Sequence, residues 1–178
     1  MVPEPIEFHS VDALGAGAVG EPGRRAFYLQ ARSEAAQLTV LVEKEQVALL
    51  AAEAIAFLDR IKDEYPEDAF TVPVELADLR EPTVPLFRAR LIGLGFDPER
   101  ELVLIELRER AEEDEDDDDG PAPATDAEEG FVARIYATRP QVRAMAARSA
   151  VVVAAGRPPC DLCGQPRDPA GHRCPRWN

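Results

Sequence analysis

Residues 21–32 read EPGRRAFYLQAR, and residues 97–108 repeat their pattern as DPERELVLIELR. Aligned without gaps, both segments open with an acidic residue and a proline, carry arginine at the fourth position, and end in arginine after an apolar run. A second match joins QVALLAA at 46–52 to QVRAMAA at 141–147 in the same order. The two copies of the second match lie further apart in the sequence than the two copies of the first, and the difference equals the length of the acidic segment 111–129. We therefore predict an internal duplication with an insert in its second copy.

Each copy is predicted to contain three strands. The acid-proline turn joins two of them, because proline fixes φ at a turn position and cannot donate a hydrogen bond inside a sheet. The apolar and β-branched runs between the turns are typical of strands. The predicted strands are 16–20, 25–33 and 37–43 in the first copy and 86–95, 101–109 and 130–137 in the second, with a short additional strand at 6–8.

A helix is predicted to end each copy. Between Lys44 and Tyr65 apolar residues recur every three or four positions, which marks the buried side of an amphipathic helix, and Pro66 is expected to end it. In the second copy Thr138 and Gln141 have the spacing of a capping box. The predicted inner face of this second helix consists of Val142, Met145, Ser149 and Val152.

The net charge of −14 comes mostly from residues 111–129, which hold eleven of the 34 acidic residues and no lysine or arginine. Like charges together with glycine and proline predict a disordered, solvated insert, and a docking strip for a basic partner is the alternative. No apolar run reaches the roughly 18 residues of a membrane span. The first ten residues lack the features of a secretory signal, so a cytoplasmic location is expected.

The C-terminal tail holds the one constellation with recognisable chemistry. Its spacing is Cys160-x2-Cys163-x8-His172-x1-Cys174, and it contains all three cysteines of the chain. The Cys-x-x-Cys-Gly turn points both sulfurs at one centre, and His172 and Cys174 face the same side of an extended segment. Three thiolates and one imidazole suit a closed, structural zinc site. The alternatives are a disulfide, which would leave one cysteine unpaired, and a redox CxxC, which would normally open a helix after a strand.

Together these patterns predict an α+β protein. Two similar β-β-β-α units form one pseudo-symmetric body with mainly antiparallel sheet, and a small zinc knuckle follows. The predicted domains are 1–65 for the first unit, 66–85 for a proline-rich connector on the surface, 86–156 for the second unit with its insert, and 157–178 for the zinc-binding tail.

Three segments carry a family resemblance: AVGEPGRRAFYLQAR, LVEKEQVALLA and CDLCGQPRDPAGHRCPRWN. They resemble an uncharacterised family of actinobacterial two-repeat proteins with a zinc-ribbon-like tail, over nearly the whole chain apart from the acidic insert. The resemblance implies that Cys160, Cys163, His172 and Cys174 are metal ligands. It implies no catalytic residue, although members of that family tend to be encoded beside a histidine-phosphatase-like and a lipid-kinase-like protein.

Two hypotheses of function follow, with no catalytic residues assigned. The first is a non-catalytic cytoplasmic adaptor with structural Zn²⁺, whose protein partner contacts a surface around Arg176 and Trp177. The second is an enzyme that acts on a phosphorylated substrate in a cleft between the two units, where Arg24 and Arg100 are the candidate anion-binding residues. A weaker alternative is nucleic-acid binding through the tail, against which the near-neutral body and the polyanionic insert argue.

Overall fold

The structure, a computed structural model, describes residues 4–67, 70–109, 130–168 and 170–176. The predicted acidic insert 111–129 and Trp177 lie outside the described residues. The described chain forms two four-stranded sheets and two α-helices, which confirms the α+β class. Its elements are β1 (Ile6–Phe8), β2 (Ala13–Val19), β3 (Ala26–Arg32), β4 (Gln37–Val42), α1 (Lys44–Ile61), a 3-10 turn (Val74–Ala77), β5 (Phe87–Arg88), β6 (Leu91–Asp97), β7 (Leu102–Arg108), β8 (Val132–Ala137) and α2 (Arg139–Ala154).

The two sheets exchange short strands. One sheet has the order β1-β8-β7-β6, and the other has the order β5-β4-β3-β2. β1 pairs in parallel with β8, and β5 pairs in parallel with β4, whereas the remaining pairings are antiparallel. Each sheet therefore consists of three consecutive strands from one predicted unit and a short strand from the other. This shared order is what a duplication would produce, while the pseudo-symmetry and the domain boundaries stay predictions.

The prediction of one continuous strand over 86–95 is wrong. Ala89 donates its backbone N–H to the carbonyl oxygen of Leu41 (2.9 Å), whereas the next residue, Arg90, donates to the carbonyl oxygen of Arg108 (2.7 Å). The chain therefore passes from one sheet to the other between these two residues. One strand cannot bond to both sheets, so the segment divides into β5 and β6.

The helices match the predicted pattern with one difference in length. The capping box of α2 is confirmed, because Thr138 Oγ1 accepts from the N–H of Gln141 (3.3 Å) and Gln141 Oε1 accepts from the N–H of Thr138 (2.9 Å). The four predicted inner residues of α2 are all buried. α1 ends at Ile61, earlier than the predicted Tyr65, because the chain turns over the residues before Pro66.

Both ends of α2 are joined to the first unit. At its start, Gln141 Nε2 donates to the carbonyl oxygen of Val11 (2.8 Å). At its end, Arg25 Nη1 donates to the carbonyl oxygen of Val152 (3.0 Å). The last turn of α2 contains no basic residue of its own, so Arg25 supplies the positive charge that favours a helix C-terminus. One buried core consequently includes side chains of both sheets and both helices.

The connector packs against the outer face of β2 and β3 through buried polar side chains. Arg32, which is 8% exposed, donates to the carbonyl oxygens of Leu76 and Asp78, both at 2.8 Å. Gln30, which is 1% exposed, donates to the carbonyl oxygen of Arg80 (2.9 Å) and accepts from the N–H of that residue (2.8 Å). These bonds satisfy backbone groups that would otherwise be buried without partners, and so fix the connector.

Replacing Arg32 with methionine is expected to lower the free energy of unfolding by about 2–4 kcal/mol, because it leaves buried carbonyl acceptors without a donor. The matched control is Arg88→Met, which removes an ion pair to Glu43 (2.8 Å) whose side chains are both more than half exposed. The control is expected to cost less than about 1 kcal/mol. Urea unfolding followed by circular dichroism measures both values, and equal losses would contradict a structural role for Arg32.

Candidate metal centre

The backbone of the tail forms a knuckle around its first two cysteines. Cys160 donates its N–H to the carbonyl oxygen of Gln165 (2.8 Å), and Gly164 donates to the carbonyl oxygen of Cys160 (2.8 Å). Gly164 has a φ of 72°, which favours glycine because that residue has no Cβ to clash in the left-handed region. The turn therefore directs the Cys160 and Cys163 side chains toward one point.

A second turn brings the other two donors to the same point. Asp168 accepts from the N–H of Ala170 through Oδ1 (3.0 Å) and from the N–H of Gly171 through its backbone oxygen (3.0 Å). Gly171 has a φ of 124°, again a conformation suited to glycine. The chain reverses here, so that His172 and Cys174 lie opposite the knuckle.

The four side chains form one cluster that could hold a metal ion. The ligand atoms of Cys160, Cys163, His172 and Cys174 all lie within 4.8 Å of one another. The Cys160 and Cys174 sulfurs are 4.0 Å apart, and the Cys163 sulfur is 3.2 Å from His172 Nε2. A tetrahedral zinc ion with Zn–S bonds of about 2.3 Å would hold its sulfurs about 3.8 Å apart. The donor set and its spacing therefore fit zinc, although the structure does not identify the metal.

The knuckle also adjusts the acidity of its thiols. Backbone N–H groups of Cys163 and Leu162 point at the Cys160 sulfur and lower the pKa of that thiol to about 6. The N–H of Gln165 favours the thiolate of Cys163, but burial and the neighbouring Cys160 and Cys174 outweigh it and raise the pKa of Cys163. Metal ligands bind as thiolates, so Cys160 is prepared for coordination at neutral pH.

The tail is attached to the body on one side and exposed on the other. Arg157 Nη1 lies 3.3 Å from Asp168 Oδ2. The same side chain packs against Gly23 in the β2–β3 turn, where an added Cβ would lie 3.1 Å from Arg157 Nε. Arg176 Nη1 donates to the carbonyl oxygen of Leu162 (3.2 Å), whose side chain is 53% exposed. The sequence does not predict Leu162 as part of the partner surface. The only feature that points to it is its position between Cys160 and Cys163.

The structure does not bring Arg24 and Arg100 together. Arg24 lies in the β2–β3 turn, whose next residue, Arg25, donates to a backbone oxygen in the last turn of α2. Arg100 lies in the β6–β7 turn. This turn contacts the start of α2, because Glu101 Oε2 is 3.6 Å from the guanidinium of Arg139. The 16 residues of α2 span about 24 Å, so the two arginines belong to turns at opposite ends of this helix.

Arg100 has partners of its own in that turn. Its guanidinium lies 4.8 Å from the centre of the Tyr136 ring and donates to the backbone oxygen of His9. It also lies 3.9 Å from Asp97. His9 itself is 72% exposed and lies 3.7 Å from Glu7.

Several glycines of 15–23 serve packing and turns. A Cβ at Gly15 would lie 2.9 Å from the carbonyl oxygen of Ala77, and one at Gly17 would lie 2.5 Å from Leu79 Cγ. The connector can therefore pack closely against β2 because these two residues have no side chain. Gly20 has a φ of 110° in the β2–β3 turn.

Comparison with known proteins gives a family but no activity. The family model DUF3090, described as a protein of unknown function, matches residues 6–174. None of the curated proteins and none of the solved structures matches the chain. In the described part of the chain, no helix combines the length and apolar character needed to cross a bilayer.

Proposed function

We infer the function of this chain from its site, since it belongs to the DUF3090 family, a family of proteins of unknown function. We propose that it is a non-catalytic, cytoplasmic zinc-binding adaptor that binds a protein partner through its C-terminal knuckle. The observation that carries the proposal is the convergence of Cys160, Cys163, His172 and Cys174 within 4.8 Å. Four protein ligands complete a tetrahedron, so a zinc ion bound here would have no open position for a substrate. Its role would be to fold the tail.

The exposed side of the knuckle supports a binding role. Leu162 places an apolar side chain in solvent between Asp161, whose side chain is 95% exposed, and Arg176, which is bonded to the Leu162 backbone. The cavity of about 410 Å³ at the knuckle is lined by Leu162 and Arg167 and also by the donors Cys160, His172 and Cys174, so it includes the metal site itself. Protein interfaces commonly have an apolar centre inside a polar rim, and Leu162 with its charged neighbours has this arrangement on a small scale.

The anchoring of the tail supports a fixed orientation of this surface. The Arg157–Asp168 ion pair and the close approach of Arg157 to Gly23 place the knuckle beside the β2–β3 turn. A partner could therefore contact the knuckle and the body together. The alternative of an enzyme with a paired anion site gains no support, because Arg24 and Arg100 belong to turns at opposite ends of α2.

The test is affinity capture from the native host with Leu162→Asp and a matched surface control, Leu49→Asp, whose wild-type side chain on α1 is 62% exposed. We expect Leu162→Asp to recover less than about a tenth of the partner protein, since a charge at the centre of an interface is strongly unfavourable. The control is expected to recover as much as the wild type. Both variants should retain their metal, measured by mass spectrometry of the bound element.

Equal recovery of the same partners by both variants would reject the knuckle as the recognition surface. Loss of metal in Leu162→Asp would instead assign the effect to folding of the tail. In that case Arg176→Glu, which alters the same surface through a residue that is not a ligand, decides between the two explanations.

A further inference from the structure

Two cationic side chains meet beside the chain segment that follows α2. A Cβ added at Gly156 would lie 3.2 Å from Arg25 Nη2 and 3.4 Å from Lys44 Nζ. Both nitrogens therefore lie beside the same short piece of backbone, which has no side chain of its own to cover it. Arg25 directly precedes β3 and Lys44 is the first residue of α1, so the packing of distant elements brings the two charges together.

No carboxylate pairs with these two cations in the described part of the chain. Neither Arg25 nor Lys44 forms an ion pair there, and their side chains make one hydrogen bond, from Arg25 Nη1 to the carbonyl oxygen of Val152. The acidic residue before Lys44, Glu43, is bonded to Arg88 at 2.8 Å. The end of α2 carries about half a negative charge and the start of α1 about half a positive one, so the two helix ends offset each other and leave the cations uncompensated.

Two backbone donors on the same segment also lack an acceptor. The N–H groups of Gly156 and Arg157 donate to no described residue, although both residues are half-buried. The residue before them behaves differently, because Ala155 donates to the carbonyl oxygen of Val151 (3.0 Å) and so continues the helix pattern. Successive unpaired N–H groups beside cationic side chains are a donor set that suits an anion.

The guanidinium of Arg25 also lines a cavity between β2, the connector and α2. This cavity has a volume of about 410 Å³ and shares no lining residue with the cavity at the knuckle. Its apolar walls are formed by Ala18, Val19, Leu79, Val151 and Ala155. Cavities of roughly 300–1,000 Å³ with apolar walls and a few polar groups are typical of small-molecule sites.

The connector adds hydrogen-bond acceptors to this cavity. Asp78 Oδ1 lies 2.6 Å from Arg148 Nε, and the Glu81 carboxylate accepts from the N–H and the hydroxyl of Thr83, both at 3.2 Å. A carboxylate that accepts one or two bonds still has unused lone pairs, which suit the hydroxyl groups of a ligand. The cavity therefore combines a cationic group, apolar walls and acceptors.

We propose that this corner of the protein binds a small phosphate monoester. Its phosphate group lies against Arg25, Lys44 and the N–H groups of residues 156 and 157, and its organic part lies in the cavity. A phosphate carries nearly two negative charges and three acceptor oxygens, which match two cations and two N–H groups better than the single charge and two oxygens of a carboxylate. The site contains none of the four metal donors, so it does not depend on the function proposed for the knuckle.

Titration of the full chain with inorganic phosphate and with glycerol phosphate, followed by proton–nitrogen NMR, tests the proposal. Ionic strength is held constant with chloride, so that a general salt effect is the same throughout. Both probes should shift the amide signals of Gly156 and Arg157. Glycerol phosphate alone should also shift those of Val151 and Ala155, and it should bind at least about threefold more tightly because its organic part adds contacts in the cavity.

Lys44→Gln is the decisive variant, because the Lys44 side chain is exposed and makes no hydrogen bond with the described residues. It should raise the dissociation constant of both probes at least about fivefold through loss of a charge-assisted hydrogen bond. The matched control is Lys62→Gln, which removes the other lysine of the chain at the opposite end of α1 and should leave both constants unchanged. Arg25→Gln should weaken binding at least as much as Lys44→Gln, with circular dichroism to confirm that the variant folds.

A wild type whose signals at 156 and 157 do not move up to about 10 mM of either probe overturns the proposal. So does equal weakening by Lys44→Gln and Lys62→Gln, which would show a diffuse effect of net charge instead of a site. Equal affinity for the two probes, with no shift at Val151 and Ala155, would contradict the placement of the organic part in the cavity. None of these results bears on the knuckle, whose metal content and partner recovery are measured separately.

Discussion

Replacing Cys163 with alanine is expected to reduce bound zinc from about one ion per chain to less than about 0.1, and to leave the tail from residue 157 onward without fixed structure. The three remaining donors would need a water molecule as the fourth ligand, and a neutral water binds zinc more weakly than the thiolate it replaces. Among the described tail residues Cys160 alone is deeply buried, at 8% exposure, so the tail has almost no apolar core to replace the metal. Small segments of this kind owe their folding free energy to the ion.

The body is expected to keep its structure in this variant. Its core consists of side chains from the two sheets and two helices and includes none from the tail. Limited proteolysis should therefore cut Cys163→Ala after Gly156 and leave a stable fragment, while elemental analysis reports the lost metal. Asp161→Asn is the matched control, since its side chain is 95% exposed and it is not one of the four donors.

Either of two results would contradict this expectation. A Cys163→Ala protein that retains a full equivalent of zinc would exclude Cys163 as a required ligand. A metal-free tail that resists protease as well as the wild type would show that contacts such as Arg157–Asp168 hold it without an ion.

The elements that the sequence predicted well are those with a long periodic signal. α2 begins at the capping box of Thr138 and Gln141, and buries the predicted stripe, because both signals act within a few residues of the chain. β3 and β7 likewise follow the two acid-proline turns. The metal cluster was recognisable for the same reason, since its four donors lie within fifteen residues and two glycine turns bring them together.

The strand exchange could not be predicted in this way. β5 has two residues, too few for any alternation of polar and apolar side chains to appear. Its pairing with β4 joins residues more than forty positions apart, and the sequence of one strand does not identify a distant partner. The burial of the connector could not be predicted for a related reason. The hydrogen bonds from Gln30 and Arg32 go to backbone carbonyl oxygens of the connector, and every residue has such an oxygen, so no residue type marks the contact.

The exchange of β1 and β5 predicts that the two sheets unfold together. Phe8 in β1 is 7% exposed and lies opposite Ile135 of β8, whereas Phe87 in β5 is 5% exposed and lies opposite Val40 of β4. Either phenylalanine replaced by alanine should lower the free energy of unfolding by about 3–5 kcal/mol through the cavity left in the core. Leu49→Ala, an exposed site on α1, should cost less than about 0.5 kcal/mol.

The informative comparison is between the sheets within each variant. Because β1 belongs to the predicted first unit but completes the sheet of the second, Phe8→Ala should lower hydrogen-exchange protection in β2–β4 as much as in β6–β8. Phe87→Ala should likewise lower protection in both sheets, since β5 belongs to the predicted second unit but completes the sheet of the first. Urea unfolding of each variant should show one transition. A Phe8→Ala protein that loses protection only in β6–β8, with a second transition for the other sheet, would mean that the two units fold independently despite the exchanged strands.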